Sequence, residues 1–276
     1  MGDDRTLETG TEYLLGRVED GVAVLTFNRP DRRNALHPAM FEAYEQLLPA
    51  LAEDTTVGAL LLTGAGGAFC AGGDVRAMDD RNSGRTKSLA FEERVTDLRR
   101  RQRGVSALLF EFPKVTIAAI PGPAAGAGLS IALACDLRVA AERAVITTAF
   151  AKVGFSGDFG GSWFLTQMLG SAKARELYLT ADRLGAAEAE RIGILNRVLP
   201  DEGFDAAALA YARGFAQGPT VAHRYIKENI NRATGADLRT CLDAEAVAMS
   251  RTGQTEDHRE AARAFVEKRD PVFQGR

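Results

Sequence analysis

Two apolar-rich runs, Tyr13–Val18 and Val22–Phe27, flank Glu19-Asp20-Gly21 and predict a β-hairpin. After the loop NRPDRRNAL, Met40, Phe41, Tyr44, Leu47, Leu48 and Leu51 recur at helical spacing, so a helix is predicted over roughly Pro38–Asp54. Pro49 is expected to kink that helix or end it early, because it lacks an N–H and its ring crowds the preceding turn. Val57–Thr63 reads as a buried strand running into GAGGAFCAGGD, and Asp79–Arg103 as a polar, basic, solvated segment. The charge-free stretch Val115–Cys135 has the length of a membrane span. Pro121, Pro123 and the glycines after them break it into a strand (Val115–Ile120), a tight loop and a buried helix opening near Ala127. Short strands follow at Leu137–Ala140 and Ala144–Thr148, and the Gly-rich turn GFSGDFGGSW opens another helix. Ala172–Tyr178 and Ala186–Arg191 read as short helices and Ile194–Val198 as the last strand. From about Asp205 the pattern is helical, with breaks at Pro219 and Gly235. The chain therefore divides into a layered α/β core, residues 1–204, and a helical part, residues 205–276.

Composition narrows the classes of partner. A chain of 276 residues with 46% hydrophobic positions can bury one large core. A net charge of -3, with Lys and Arg spread along the chain, gives no electrostatic footprint for nucleic acid or an anionic membrane. Cys70, Cys135 and Cys241 form no short-spaced pair, and His37, His223 and His258 stand far apart, so neither a disulfide framework nor a metal site is expected. The N-terminus is acidic and lacks an apolar targeting segment, which points to a cytoplasmic setting.

Two glycine-rich loops, Gly64–Asp74 and Gly122–Gly128, each follow a strand and precede a helix. A dinucleotide fingerprint needs G-x-G-x-x-G, but Ile131 and Phe69 stand where the third glycine belongs. The loops suit another task. Unpaired N–H groups at a helix start favour negative charge, and two of them from separate loops can cradle one developing oxyanion.

FCAGGD (Phe69–Asp74), GPAAGAG (Gly122–Gly128), ACD (Ala134–Asp136) and NRP…NAL (Asn28–Leu36), in this order and spacing, resemble the crotonase (enoyl-CoA hydratase/isomerase) superfamily. The resemblance runs from about Tyr13 to Phe273. It implies an α/β fold with a crotonase-like ββα superhelix core and a C-terminal helical trimerisation region. It also implies a coenzyme A thioester as substrate, with no covalently bound cofactor, and assembly into a homotrimer or hexamer. On the matching positions, Gly73 and Ala127 would donate to the thioester oxygen. Ala35, Ala71, Asp74 and Val75 would line the coenzyme A site, with Arg32 as a phosphate contact. Lys268 or Phe265 would reach a neighbouring subunit's pocket.

Departures from the family pattern direct the chemistry. Hydratases of the family carry two glutamates; the corresponding positions here are Ser130 and Phe150. Neither can serve as a carboxylate base, and each missing group is typically worth ~10²–10⁴ in rate. Asp158 in GFSGDFGGSWFL resembles the acid of the isomerase branches, where one carboxylate moves a proton between carbons. It could instead cap the helix expected near Ser162. The leading reading is an enoyl-CoA isomerase with Gly73 and Ala127 as oxyanion donors and Asp158 as proton shuttle. The alternatives are a hydratase or acyl-CoA hydrolase with another base, and a coenzyme A-binding subunit without catalysis. Cys70 could be a thiol nucleophile or buried packing, and Trp163 a wall of the acyl pocket or core.

Overall fold

The computed structural model describes residues 4–85 and 89–276. Its strands are β1 (Arg5–Leu7), β2 (Leu14–Glu19), β3 (Val22–Phe27), β4 (Ala59–Gly64), β5 (Val115–Ile120), β6 (Ala124–Ala125), β7 (Leu137–Ala141), β8 (Val145–Thr147), β9 (Leu184–Gly185) and β10 (Arg197–Leu199). The helices of the core are α1 (Pro38–Glu53), α2 (Val75–Asn82), α3 (Phe91–Gln102), α4 (Leu108–Phe110), α5 (Ala127–Leu133), α6 (Gly161–Thr180) and α7 (Ala186–Arg191). Four more close the chain: α8 (Phe204–Ala216), α9 (Thr220–Ala233), α10 (Leu238–Thr252) and α11 (Glu256–Glu267). Two strands followed by a helix recur as β2–β3–α1, β5–β6–α5 and β7–β8–α6, so the α/β reading holds.

The main sheet has the order β1-β2-β3-β4-β5-β7-β10 and is parallel from β3 to β10. Its central strands β3, β4 and β5 are largely apolar and buried on both faces, as a covered parallel sheet requires. Leu25, Phe27, Leu60, Leu62, Ala118 and Ile120 point to the side packed by α1, α5 and α6. Val22, Val24, Leu61, Ile117 and Val139 point to the other side, which α8 covers with Phe204, Ala208, Leu209 and Ala212. A small sheet, β6-β8-β9, sits beside the glycine loop that opens α5.

The α9 helix docks through polar groups. Lys227 donates to Asp136 at 2.9 Å, Asp136 accepts from the Thr116 hydroxyl at 2.9 Å, and Asn231 donates to the Phe110 carbonyl at 3.0 Å. Among the described residues no helix is long and apolar enough to cross a membrane.

Helix α1 and the last strand differ from the sequence reading. Helix α1 runs through Pro49 to Glu53 without ending early. Pro49 lies on the exposed side, where a freed carbonyl can turn to water, while Leu47, Leu48 and Leu51 keep the buried stripe unbroken. Lys114 then donates to the Leu51 and Asp54 carbonyls, both at 2.6 Å, and closes the helix end. The polar segment after Asp79 is largely helical: α3 continues through a π-turn at Arg103–Ala107 into α4. The strand expected at Ile194–Val198 is confined to Arg197–Leu199, while the helix expected at Ala172–Tyr178 is present as the second half of α6, set off by the bend at Gly170 (φ 76°, ψ 163°).

Candidate active site

Three loops at the carboxyl ends of the parallel strands are knitted together by their backbones. The segment Phe69–Asp74 lies in the middle. On one side Ala71 donates to Arg33 at 2.9 Å and Leu36 to Gly72 at 2.8 Å. On the other, Phe69 donates to Pro123 at 3.0 Å and Ala125 to Cys70 at 2.9 Å. Asn34, fully buried at φ 58°, holds the first loop in place. Its amide donates to the Ala65 and Ala68 carbonyls at 2.9 and 2.8 Å, and its oxygen accepts from the Arg29 amide at 2.8 Å. An alanine there would strand the buried Ala68 carbonyl, at ~1–3 kcal/mol, and leave the half-buried Ala65 carbonyl and Arg29 N–H without their partner. Sequence reading placed Asn34 inside a motif but gave it no role.

Close backbone approach explains the glycines. At Gly72, φ is 82° and a Cβ would lie 2.7 Å from the Ala125 carbonyl oxygen and 3.1 Å from the Ala127 nitrogen. At Gly128 a Cβ would strike the Cys70 backbone. The Gly72 amide is taken by the Cys70 sulfur at 3.4 Å, while the Gly73 amide makes no hydrogen bond within the turns among the described residues. Ala127 opens α5 after Gly126 (φ 53°, ψ -127°), so helix geometry leaves its amide without an acceptor. The Gly73 segment thus lies against the start of α5, and the Gly73 and Ala127 amides are both without a protein acceptor among the described residues.

Asp158 sits on a loop held at both sides. Next to it, Phe159 (φ 50°) donates its amide to Gln102 Oε1 at 2.8 Å and stacks on Phe41, with ring centroids 5.7 Å apart. The end of α3 therefore packs on the loop that carries Asp158. Asp158 does not cap α6: that helix starts at Gly161 with Gly160 as its N-cap and no side-chain cap bond. Its Oδ1 is buried with no hydrogen-bond partner, and burial pushes its carboxyl pKa up to about 6.

The two positions that carry glutamates in hydratases lie beside it. Phe150 stacks on Tyr178 with ring centroids 5.9 Å apart and 8° between planes. The Ser130 hydroxyl donates to the Gly126 carbonyl at 3.3 Å, and burial raises the pKa of the neighbouring Tyr178 phenol to about 12. Both hydroxyls abut Gly161, where a Cβ would collide with Ser130 Oγ and lie 2.5 Å from the Tyr178 oxygen. Tyr178 escaped sequence reading because no motif marks it; the bend at Gly170 returns the second half of α6 to the helix start.

The other candidate residues separate into groups. Asp74 caps α2, accepting from the Arg76 and Ala77 amides at 3.1 and 3.2 Å, and pairs with Arg29 at 3.2 Å. Burial alone would raise its carboxyl pKa, but the Ala77 amide and the Arg29 guanidinium together hold it low. The Ala35 carbonyl is already engaged by Arg29 at 2.8 Å, and Arg32 lies 3.3 Å from Asp31. Val75, 62% exposed, opens α2 beside Asp74. Lys268 ends α11 in a left-handed conformation, and among the described residues no hydrogen bond or ion pair joins it to these loops. Cys70 is buried and its thiol pKa is pushed up to about 12, so it is packing and not a nucleophile. Trp163 lines a cavity of about 500 Å³ against α9, with Phe110, Phe164 and Lys227, and neither Asp158 nor Ala127 lines that cavity.

The family model for enoyl-CoA hydratase/isomerase matches residues 17–276. The 1,2-epoxyphenylacetyl-CoA isomerase of Escherichia coli (strain K12) is 38% identical over 96% of this chain and 99% of its own length. The 4-chlorobenzoyl coenzyme A dehalogenase-2 of an Arthrobacter species is 34% identical over 82% of this chain and 80% of its own length. The crystal structure of an enoyl-CoA hydratase from Polaromonas sp. JS666 superposes with a TM-score of 0.86, at 33% identity, covering 94% of this chain and 98% of that one. The chain belongs to the enoyl-CoA hydratase/isomerase family, within the crotonase superfamily.

Proposed function

We propose that the protein is an enoyl-CoA isomerase in which Asp158 carries a proton between two carbons of a bound acyl-CoA. The observation that carries this reading is the Asp158 carboxylate, buried without a partner oxygen contact, beside positions 130 and 150 that hold no carboxylate. Asp158 takes a proton from the carbon next to the thioester. The released electron pair spreads onto the thioester oxygen, where the Gly73 and Ala127 amides bind the charge. Protonated Asp158 then returns the proton at another carbon, so the double bond moves and no water is consumed. Phe150 stacked on Tyr178 fills space where hydration would need a second base and an ordered water. The isomerase relative supports the reading, and the dehalogenase and hydratase show that the scaffold serves other reactions. Coenzyme A is placed along Ala35, Ala71, Asp74 and Val75, with Arg32 toward its phosphates. NMR of 3-enoyl-CoA and 2-enoyl-CoA thioesters incubated with the protein tests this. Interconversion of the two without 3-hydroxyacyl-CoA is expected; rapid hydration, thioester cleavage, or binding without turnover would overturn it.

The same reading includes a trimer or hexamer built through the C-terminal helices, with Lys268 and Phe265 serving a neighbour's coenzyme A site. Leu238 and Met249 on α10 and Phe265 and Val266 on α11 are 73–86% exposed in the single chain, and clustered exposed apolar side chains mark association surfaces. Light scattering at micromolar concentration should give three or six times the chain mass, and a stable monomer would count against it.

A further inference from the structure

A cavity of about 310 Å³ lies on the side of the main sheet that α8 covers, and the proton shuttle makes no use of it. Its size is that of a small-molecule site. Neither Gly73, Ala127 nor Asp158 lines it, but residues 64–67 and Pro121 do, so it adjoins the starts of both glycine loops.

Its walls change from apolar to polar along the strands. Val24 and Leu61 belong to the apolar cluster under Ala208 and Leu209 of α8. Two positions further along, Thr26 and Thr63 are partners in the β3–β4 register and line the same cavity. Thr63 Oγ1 is shielded from solvent and has no hydrogen-bond partner. That state is costly, and valine would fill the same space in a strand without the cost. Arg143 stands at the polar end. Its Nε donates to the Pro121 carbonyl at 2.9 Å and its amide to Asp201 at 3.0 Å, which fixes the residue in place. The two terminal nitrogens of its guanidinium have no acceptor among the described residues. Arg17, the other cation on the wall, is paired with Glu19 at 3.1 Å. Asp205, in the first turn of α8, adds one negative charge that forms no ion pair among the described residues.

We infer that this cavity is a second ligand site, separate from the oxyanion loops, for a small monocarboxylate with an apolar body. The carboxylate meets the Arg143 fork, whose planar N–H groups match two oxygens, and accepts from the Thr63 hydroxyl. The hydrocarbon body lies against Val24, Leu61 and Leu209, where a second charge would find no partner. Asp205 repels a further negative group at the same end, so dicarboxylates are disfavoured.

Calorimetric titration of the full chain with hexanoate, hexanamide and adipate, on the parent, Thr63→Val and Arg143→Gln, tests this. The parent should bind hexanoate with a dissociation constant of about 1 mM or tighter. Hexanamide and adipate should each bind at least about tenfold more weakly, the worth of one charge-assisted hydrogen bond. Arg143→Gln should weaken hexanoate by about tenfold or more, and Thr63→Val by about fivefold. Thr63→Val removes a hydroxyl without a partner, so it should melt no lower than the parent, and Arg143 is exposed, so its loss should leave the fold intact. Absence of saturable hexanoate binding, equal binding of hexanamide or adipate, or affinity unchanged in both variants would overturn the assignment. So would displacement of hexanoate by acetyl-CoA, which would place it in the acyl site. The titrations on the variants stand whether or not the protein proves to be an isomerase.

Discussion

Asp158→Asn is expected to slow proton exchange at the α-carbon of a bound acyl-CoA by ~10²–10⁴, the usual worth of a general base. The substitution changes one oxygen for an amide of the same shape. The fold should tolerate it, because Asp158 caps no helix and its Oδ1 holds no partner. The oxyanion donors are backbone amides and stay in place, so thioester affinity should change by no more than about threefold. Stability follows from linkage. Burial raises the folded-state pKa from 3.8 to about 6, so the native protein binds a proton more tightly than the unfolded chain. Between those values stability falls as pH rises, and above about 6 the cost of the buried charge is fully present. Asn removes that cost, so the variant should melt at or above the parent temperature at pH 7. A thermal melt and an exchange assay on one sample check both, and a variant exchanging at the parent rate would remove Asp158 from the chemistry.

Ala127→Pro should cost ~10²–10³ in turnover, the usual loss on removing one oxyanion donor. Proline is tolerated at the first position of a helix, where the N–H has no helical acceptor and φ near -65° is already suitable. Gly126 precedes it and has no Cβ to meet the ring. The variant therefore deletes one amide proton while α5 should still form. Circular dichroism should be unchanged, and the loss should appear in kcat more than in KM, since the thioester oxygen gains its charge only as the enolate forms. Unchanged turnover would show that the oxyanion lies elsewhere.

Much of this site was legible in the chain. An apolar-rich run placed the strand at Val22–Phe27, which is buried on both faces, and helical spacing placed the helix from Pro38, which buries one apolar stripe. Glycine-rich loops ahead of helices suggested an oxyanion cradle, and the resemblance to the crotonase superfamily matched Gly73 and Ala127 to its two donors. What stayed hidden depends on long-range packing. Pro49 looked like a helix stop, yet its ring faces solvent and Lys114 holds the carbonyls beyond it. Asp158 looked equally suited to capping or to catalysis, and the choice rests on where α6 begins, a matter of one or two residues. Tyr178 lies twenty positions further on and reaches Ser130 only because Gly170 reverses the helix direction. Asn34 is a polar residue at zero exposure, and two of its three side-chain bonds join loops more than thirty residues apart.

The pH dependence of α-proton exchange tests the central claim most directly. The parent protein is given a saturated acyl-CoA in buffered deuterated water, and deuterium at the α-carbon is followed by NMR from pH 4.5 to 8.5. With Asp158 as the base, exchange requires its ionised form. The rate should rise tenfold per pH unit at the acid end, bend near pH 6, and stay level above it. A rate that ignores pH across this range, or one that falls as pH rises through 6, would contradict Asp158 as the group that takes the proton.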